Sequence, residues 1–318
     1  MANEEHLARL RKGVKDWNDC HWRAQSGEPP DLRGADLTDA NLAGANFICV
    51  DLAGAVLTRA NLSNTMFIRA DLTGADLTGA NITGTNFTDA NLTRVSLART
   101  KFTGNKLTGA KLTGADLSDA SLVGAVLRDL NLRATKLDRA NLTGADLTGA
   151  DLIEAVLAGA NLTDATLVVA KLSGADLAGA DLTRADLTGA GLTGAKFTGA
   201  KLAYSDLTLA RLSGVDLTGV DLHCADLIEA DLTEANLTRA DLTRTNLMGA
   251  NFHCAKLTGA HLRSADLSEA DLTGADLTGA DFRCADLSGV NLTGANVTRA
   301  DFRGAVLTGE VLPDEDRP

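Results

Sequence analysis

Ala145-Asp146-Leu147-Thr148-Gly149 states in five residues a pattern that runs through almost the whole chain. Stepping by five from Leu32, every stop as far as Leu312 is Leu, Phe, Ile or Val, which makes 57 consecutive repeats with no insertion or deletion. All eight phenylalanines, from Phe47 to Phe302, fall in this central column. Two residues before the centre, 42 of the 57 positions are Ala and most of the others are Thr, Val or Ser. A period of five fits neither the 3.6 of a helix nor the 2 of a simple strand. The chain must therefore turn a corner once per repeat.

Residues two apart on an extended segment share a face. The small residue and the central Leu both point inward, and the residue between them, usually Asp or Asn, points outward. Of the 31 glycines, 28 stand two residues after the centre, mostly behind Thr or Ser. Gly there predicts positive φ at the second central position of a type II turn. Where Asp, Arg, Glu or Cys replaces it, other turn types are expected.

These residues resemble the pentapeptide-repeat family, whose motif is Ala-(Asp/Asn)-Leu-X-X, over about residues 30–312. The resemblance implies an all-β solenoid: a right-handed quadrilateral parallel β-helix with four repeats per coil, hence about 14 coils from 57 repeats. Each coil is too small to bury its own Leu and Ala, and stacking on its neighbours completes the core. The weak strand propensity of Ala and Asp is overridden by that repeated packing.

The ends break the pattern. Residues 4–24 read as one amphipathic helix, with Leu7, Leu10, Val14 and Trp17 at helical spacing and charges between them. Ser26-Gly27 and Pro29-Pro30 stop it. This short N-terminal α-helix is expected to cap the first coil, and it resembles the helical caps of some bacterial family members. At the other end Glu310 takes an inward position and Pro313 follows Leu312, so the last coil is expected to end there, open. The expected division is 1–29 for helix and linker, 30–312 for the β-helix and 313–318 for a tail. An open last coil suggests a homodimer through the C-terminal coil, a contact that family members often make end to end.

Bulk composition limits function. A net charge of −12 and a pI near 4.8 argue against binding to nucleic-acid backbones or anionic membranes. No apolar run approaches a membrane span, and the first residues lack a secretory signal, so a cytoplasmic protein is expected. Five cysteines without such a signal read as reduced thiols. The repeat itself generates the many Asp residues and the Asn-Leu-Thr sequons, such as Asn141-Leu142-Thr143, so neither marks a site. His223-Cys224 and His253-Cys254 lie one and a half coils apart and face opposite sides, too far to share a metal. No catalytic residues, cofactor or metal are expected, and the chain does not read as an enzyme.

The outward residues differ between faces. At four repeats per coil, residues with the same number modulo 20 share a side. The face centred on Phe47 carries ten acids against three bases, net −7, and beyond Arg128 it has no base. From Asp146 onward its acids are Asp146, Asp186, Asp206, Asp226, Glu229, Asp266, Glu269 and Asp286. The same face collects Ile48, Met66, Ile68, Val168, Val169, Leu209, Ile228 and Met248 at outward positions. Clustered surface apolars suggest a contact surface. The expected function is a non-catalytic interaction scaffold whose acidic, apolar-dotted face binds a protein partner, with no direct nucleic acid and no membrane. The resemblance implies an alternative: some family members mimic DNA, occupy the DNA groove of type II topoisomerases such as gyrase and protect them from poisons. Those members tend to have a loop interrupting the coils and a C-terminal dimer helix, and neither is visible here.

Overall fold

The computed structural model describes residues 2–20 and 28–308. The coil divides into two compact units, Met1–Val156 and Leu157–Pro318. In the first, parallel bridges join outward residues to those twenty further on, from Asp31 with Asp51 to Lys136 with Val156. In the second, the same offset runs from Asn161 with Asp181 to Asp286 with Val306. An offset of twenty is four repeats per coil. Each repeat pairs one residue per neighbouring coil, because the chain turns again before a longer strand can form.

One repeat accounts for all five of its backbone N–H groups. Asp71 donates to the Val50 carbonyl in the coil before (3.0 Å), and Leu72 and Gly74 donate to Asn91 and Thr93 in the coil after (2.8 and 2.9 Å). Ala75 donates to Leu72 across its own turn (2.9 Å). The fifth group, of Thr73, donates to the carboxylate Oδ1 of Asp71 at 2.9 Å. Asp and Asn recur at the outward position because a short acceptor side chain there satisfies the otherwise orphaned donor two residues on. The central Leu and the Ala are buried along most of the coil, with Leu72 and Leu207 0% and 1% exposed, while Ala40, Ala125, Ala295, Ala300, Ala305 and Leu307 are half-buried. Where Thr or Ser takes the Ala position it bonds a carbonyl, as Thr65 does with Leu42 (3.0 Å) and Ser205 with Leu202 (2.7 Å).

The turns correct one expectation. Every fifth residue from 34 to 304 has positive φ, whether or not it is Gly. Arg59, Glu154 and Cys224 adopt φ 56°, 59° and 55°, beside 66° for Gly54. Non-Gly residues therefore do not switch the turn to one of negative φ at this position. The reason is cooperative: the N–H at most of these corners bonds the next coil, as Arg59 does with Thr78 (3.1 Å), so the stack dictates the corner. A left-handed L-residue costs about 1–2 kcal/mol, and the neighbouring coils bear that cost.

The N-terminal segment is also corrected. It forms two helices, α1 (Glu4–Lys12) and α2 (Val14–Asn18), not one, and residues 21–24 lie outside the described residues. Gly13, at φ 127° and ψ 164°, breaks the helix, and its N–H closes α1 on Leu10 at 3.0 Å. The Asn3 side chain caps α1 by accepting from Glu5 and His6. Leu7, Leu10 and Trp17 are buried and Val14 is half-buried. The first coil has no coil before it, and the helices meet its donors. The Asp31 N–H donates to His6 Nδ1 (3.0 Å) and the Asn46 N–H to Asn18 Oδ1 (2.8 Å). Trp17 donates through Nε1 to the Asn46 carbonyl (2.8 Å), and its ring lies 5.5 Å from that of Phe47. Phe47, Phe67 and Phe87 stack below it at 5.3 and 5.4 Å. Glu310, Leu312, Pro313 and the tail lie outside the described residues, as does an opening of the last coil.

Candidate interaction face

In the second unit the predicted side is centred on Leu167, Leu187, Leu207, Leu227, Leu247, Leu267 and Leu287, and it is called here the Leu207 face. Each of these leucines is buried and holds three outward neighbours: the bridged residue before it and the two turn residues after it. The bridges stack Thr166, Asp186, Asp206, Asp226, Asn246, Asp266 and Asp286 in one ladder. Coils lie about 4.8 Å apart, so Asp186, Asp206 and Asp226 hold like charges directly opposite one another. Such pairs are mildly destabilising.

Each of these Asp side chains is half-buried and turned back on its own turn through Oδ1. Asp186 accepts from the Thr188 N–H (3.0 Å), Asp206 from Thr208 (2.9 Å) and Asp226 from Ile228 (3.2 Å). Asp266 and Asp286 accept from Ser268 and Ser288, both at 2.9 Å. The Ser288 hydroxyl and N–H hold Asp286 below the usual carboxylate range. Asn can make the same bond, as Asn246 does with the Met248 N–H (3.3 Å). The bond therefore needs an acceptor, not a charge, and repeats with Gly191, Lys201 or Arg211 at this position make the same turn without a carboxylate or amide there.

Within this unit, among the described residues, every ion pair lies on the adjoining side, the Leu182 face, or, for Arg184 with Asp164, at the corner the two sides share, in the column of Tyr204. They are Arg184 with Asp164 (2.6 Å), Lys201 with Asp181 (3.6 Å), Arg283 with Asp281 and Asp301 (2.6 and 3.7 Å), and Arg303 with Asp301 (2.6 Å). The exposed large apolar side chains distribute the other way. They are Val169, Tyr204, Leu209, Met248 and Val306. Four belong to the Leu207 face, and Tyr204 occupies the corner by which the chain enters it. Val169 and Leu209 also sit at positive φ, 51° and 60°, with 55% and 52% of their surface exposed. Positive φ is a genuine outlier for a β-branched residue. Glu229 and Glu269, at φ 53° and 60°, are exposed at the same corner. Val168 and Ile228 are half-buried.

The first unit holds the remaining predicted residues. Ile48, Met66 and Ile68 are half-buried there. Asp146 is not a free acid: the Arg128 guanidinium binds its carboxylate. Burial pushes its pKa up, but the bonds from Thr148 and Arg128 outweigh that and hold it below the ordinary range. Two exposed valines, Val123 and Val126, lie at the entering corner and on the face itself. Sequence counting passed over Val123 and Tyr204 as members of this surface because it assigned each turn to the preceding side, whereas a corner borders two. His223 Nε2 and His253 Nε2 each stand 3.3 Å from the Sγ of the adjoining cysteine. Among the described residues no three His, Cys, Asp or Glu side chains gather as a metal site, and no helix is long and apolar enough to cross a membrane.

The family model for pentapeptide repeats (8 copies) matches in overlapping segments over 31–263 and again over 270–309. No curated protein matches the chain. Among solved structures it is similar to HetL, a pentapeptide repeat protein involved in heterocyst differentiation regulation from the cyanobacterium Nostoc sp. strain PCC 7120. The identity is 31% over 78% of this chain and 92% of that one, with a TM-score of 0.25. QnrB1, a plasmid-mediated fluoroquinolone resistance protein, is 24% identical over 57% of this chain and 84% of its own, with a TM-score of 0.25. Rfr23, from the cyanobacterium Cyanothece 51142, is 26% identical over 43% and 90%, with a TM-score of 0.14. With its five-residue period, its bridges at an offset of twenty and this match along most of its length, the chain belongs to the pentapeptide-repeat family.

Proposed function

We propose that the protein is a non-catalytic scaffold that binds a protein partner through the Leu207 face. The observation that carries this reading is a coincidence on one side of the second unit. Four exposed large apolar residues stand on that face itself, whereas the ion pairs stand on the adjoining face or, for Arg184 with Asp164, at the corner between the two. Specific interfaces combine exposed apolar anchors with a polar surround. The coil beneath is taken to be the right-handed one of its family. The bonds from His6, Trp17 and Asn18 to the first coil support a capping role for α1 and α2.

The test compares affinity capture by the native protein with capture by the charge-reversed variant Asp226→Lys, Glu229→Lys, Asp266→Lys, Glu269→Lys. A partner recovered by the first and lost by the second supports the face; equal recovery places the interface elsewhere. Mimicry of DNA toward a type II topoisomerase is the second reading, favoured by the uncompensated carboxylate ladder. It is weaker because the adjoining face neutralises its acids with Arg and Lys. A gyrase supercoiling assay with and without a quinolone separates the two: inhibition or protection at micromolar protein would favour mimicry.

A further inference from the structure

Resting on the scaffold reading, we propose that the Leu207 face takes a basic amphipathic helix of the partner, laid along the stacking direction with its apolar stripe on the Val169–Leu209 corner. Three observations lead there. First, between Thr166 and Leu209 the outward apolar residues and the acids stand on opposite sides of the buried leucines: Val168, Val169 and Leu209 follow them, and Asp186 and Asp206 of the ladder precede them, while further along Glu229 and Glu269 join the corner column. A ligand with an apolar stripe beside a cationic one matches that layout. Second, the apolar corner is stepped. A Cβ built on Gly189 would lie 3.3 Å from Val169 Cγ1, so the Val169 side chain leans over the Gly189 turn. Gly189 itself carries no side chain, and Val169 and Leu209 stand two coil spacings apart, about 9.6 Å. Third, the spacings agree: one helical turn advances about 5.4 Å and one coil about 4.8 Å. Successive turns of a short helix therefore meet successive coils.

The charge of the face excludes other occupants. A second copy docked through the same face would oppose carboxylates with carboxylates, and nucleic acid or an anionic bilayer would be repelled. A Lys- or Arg-bearing helix gains from a ladder that contains no base.

The test uses three fluorescent synthetic peptides of equal length: a Leu/Lys amphipathic helix, its Leu/Glu counterpart, and a Lys/Ser peptide of equal charge without the apolar stripe. Anisotropy is read on the full chain and on three variants: Leu209→Gly, the pair Asp206→Asn with Asp226→Asn, and a control pair on the adjoining face, Asp221→Asn with Asp241→Asn. The Asn substitutions keep the turn acceptor, so folding is preserved and only charge is lost. The Leu/Lys peptide is expected to bind, and each of the first two variants to weaken it about tenfold or more, as loss of an interface anchor does. The control pair should change it less than about threefold. The Leu/Glu peptide should not bind, and the Lys/Ser peptide should bind at least about tenfold more weakly. Equal losses from both Asn pairs would reduce the effect to general polyanion attraction and overturn the proposal. Equal binding of Lys/Ser would do the same. Should the Leu/Lys peptide fail while charge reversal still abolishes partner capture, this helix is wrong and the scaffold reading stands. Failure of both removes both.

Discussion

The Leu207 and Leu182 faces of the second unit adjoin each other, share one backbone and cover the same kind of core, yet they treat charge in opposite ways. On the Leu182 face and its corner Lys201 answers Asp181, Arg184 answers Asp164, and Arg283 and Arg303 clamp Asp281 and Asp301. On the Leu207 face Asp186, Asp206 and Asp226 stack without a cation, and hydrophobic side chains stand out at strained corners. Both faces fold, so compensation of outward charge is not what closes the coil. The inward residues and the ladder between coils do that. The uncompensated face is therefore free to serve another purpose.

The strongest way to break the comparison is from inside. Leu207 and Leu209 are two residues apart, one buried and one exposed. Leu207→Ala is expected to destabilise by about 2–5 kcal/mol, and Leu182→Ala, beneath the other face, by the same amount. Leu209→Ala should stay within about 0.5 kcal/mol. Urea unfolding followed by circular dichroism distinguishes these. A clear difference between Leu207→Ala and Leu182→Ala would mean that the faces differ in their cores and not only in their surfaces.

A smaller effect of opposite sign tests the strain. Val169→Gly should stabilise by about 1 kcal/mol by removing a β-branched residue from left-handed backbone, while weakening partner binding. A loss of stability would show that Val169 packs productively where it stands and is not held for an outside contact.

The ion pairs of the Leu182 face are exposed and should matter less. Arg184→Ala is expected to change the urea midpoint little, with the effect shrinking further in high salt. A large drop would mean that charge pairing does support that face, and the Leu207 face would then need its own explanation for lacking it.

The smallest expected difference appears on acidification. Hydrogen bonding from Arg303, first through its side chain and then its backbone N–H, holds Asp301 at about 2. A depressed folded value contributes stability that is present above the unfolded value, about 3.9, and is lost as pH falls through the folded one. Asp301 should therefore stay ionised from neutrality to below pH 4 and release its pairing between about 4 and 2. A carboxylate midpoint near 4 by NMR would show that the Arg clamp does not persist in solution.

Much of this was legible in the residues, for a plain reason. Within a five-residue period, alternation settles which two residues point inward, and the number modulo 20 settles which side an outward residue occupies. The bridges at an offset of twenty follow that arithmetic in each unit. The same arithmetic misplaced corner residues: Tyr204 borders two faces, and counting assigned it to one. It also read the Asp and Asn column only as outward polarity. Asp71 shows the further role, since its carboxylate takes the N–H of Thr73. The break at Gly13 was missed because Leu7, Leu10, Val14 and Trp17 keep helical spacing across it; spacing does not report φ.

Sequence alone determined the period, the inward Leu and Ala, and the side on which acids outnumber bases, because these depend only on order along a regular chain. Tertiary structure decided which acids are answered. Arg128 reaches Asp146, eighteen residues away, only because stacking brings one coil beside the next. It also decided that Arg59, Val169 and Leu209 accept the backbone of glycine. No local preference selects that conformation for those residues. It is imposed by neighbouring coils, whose hydrogen bonds and packing hold every corner alike.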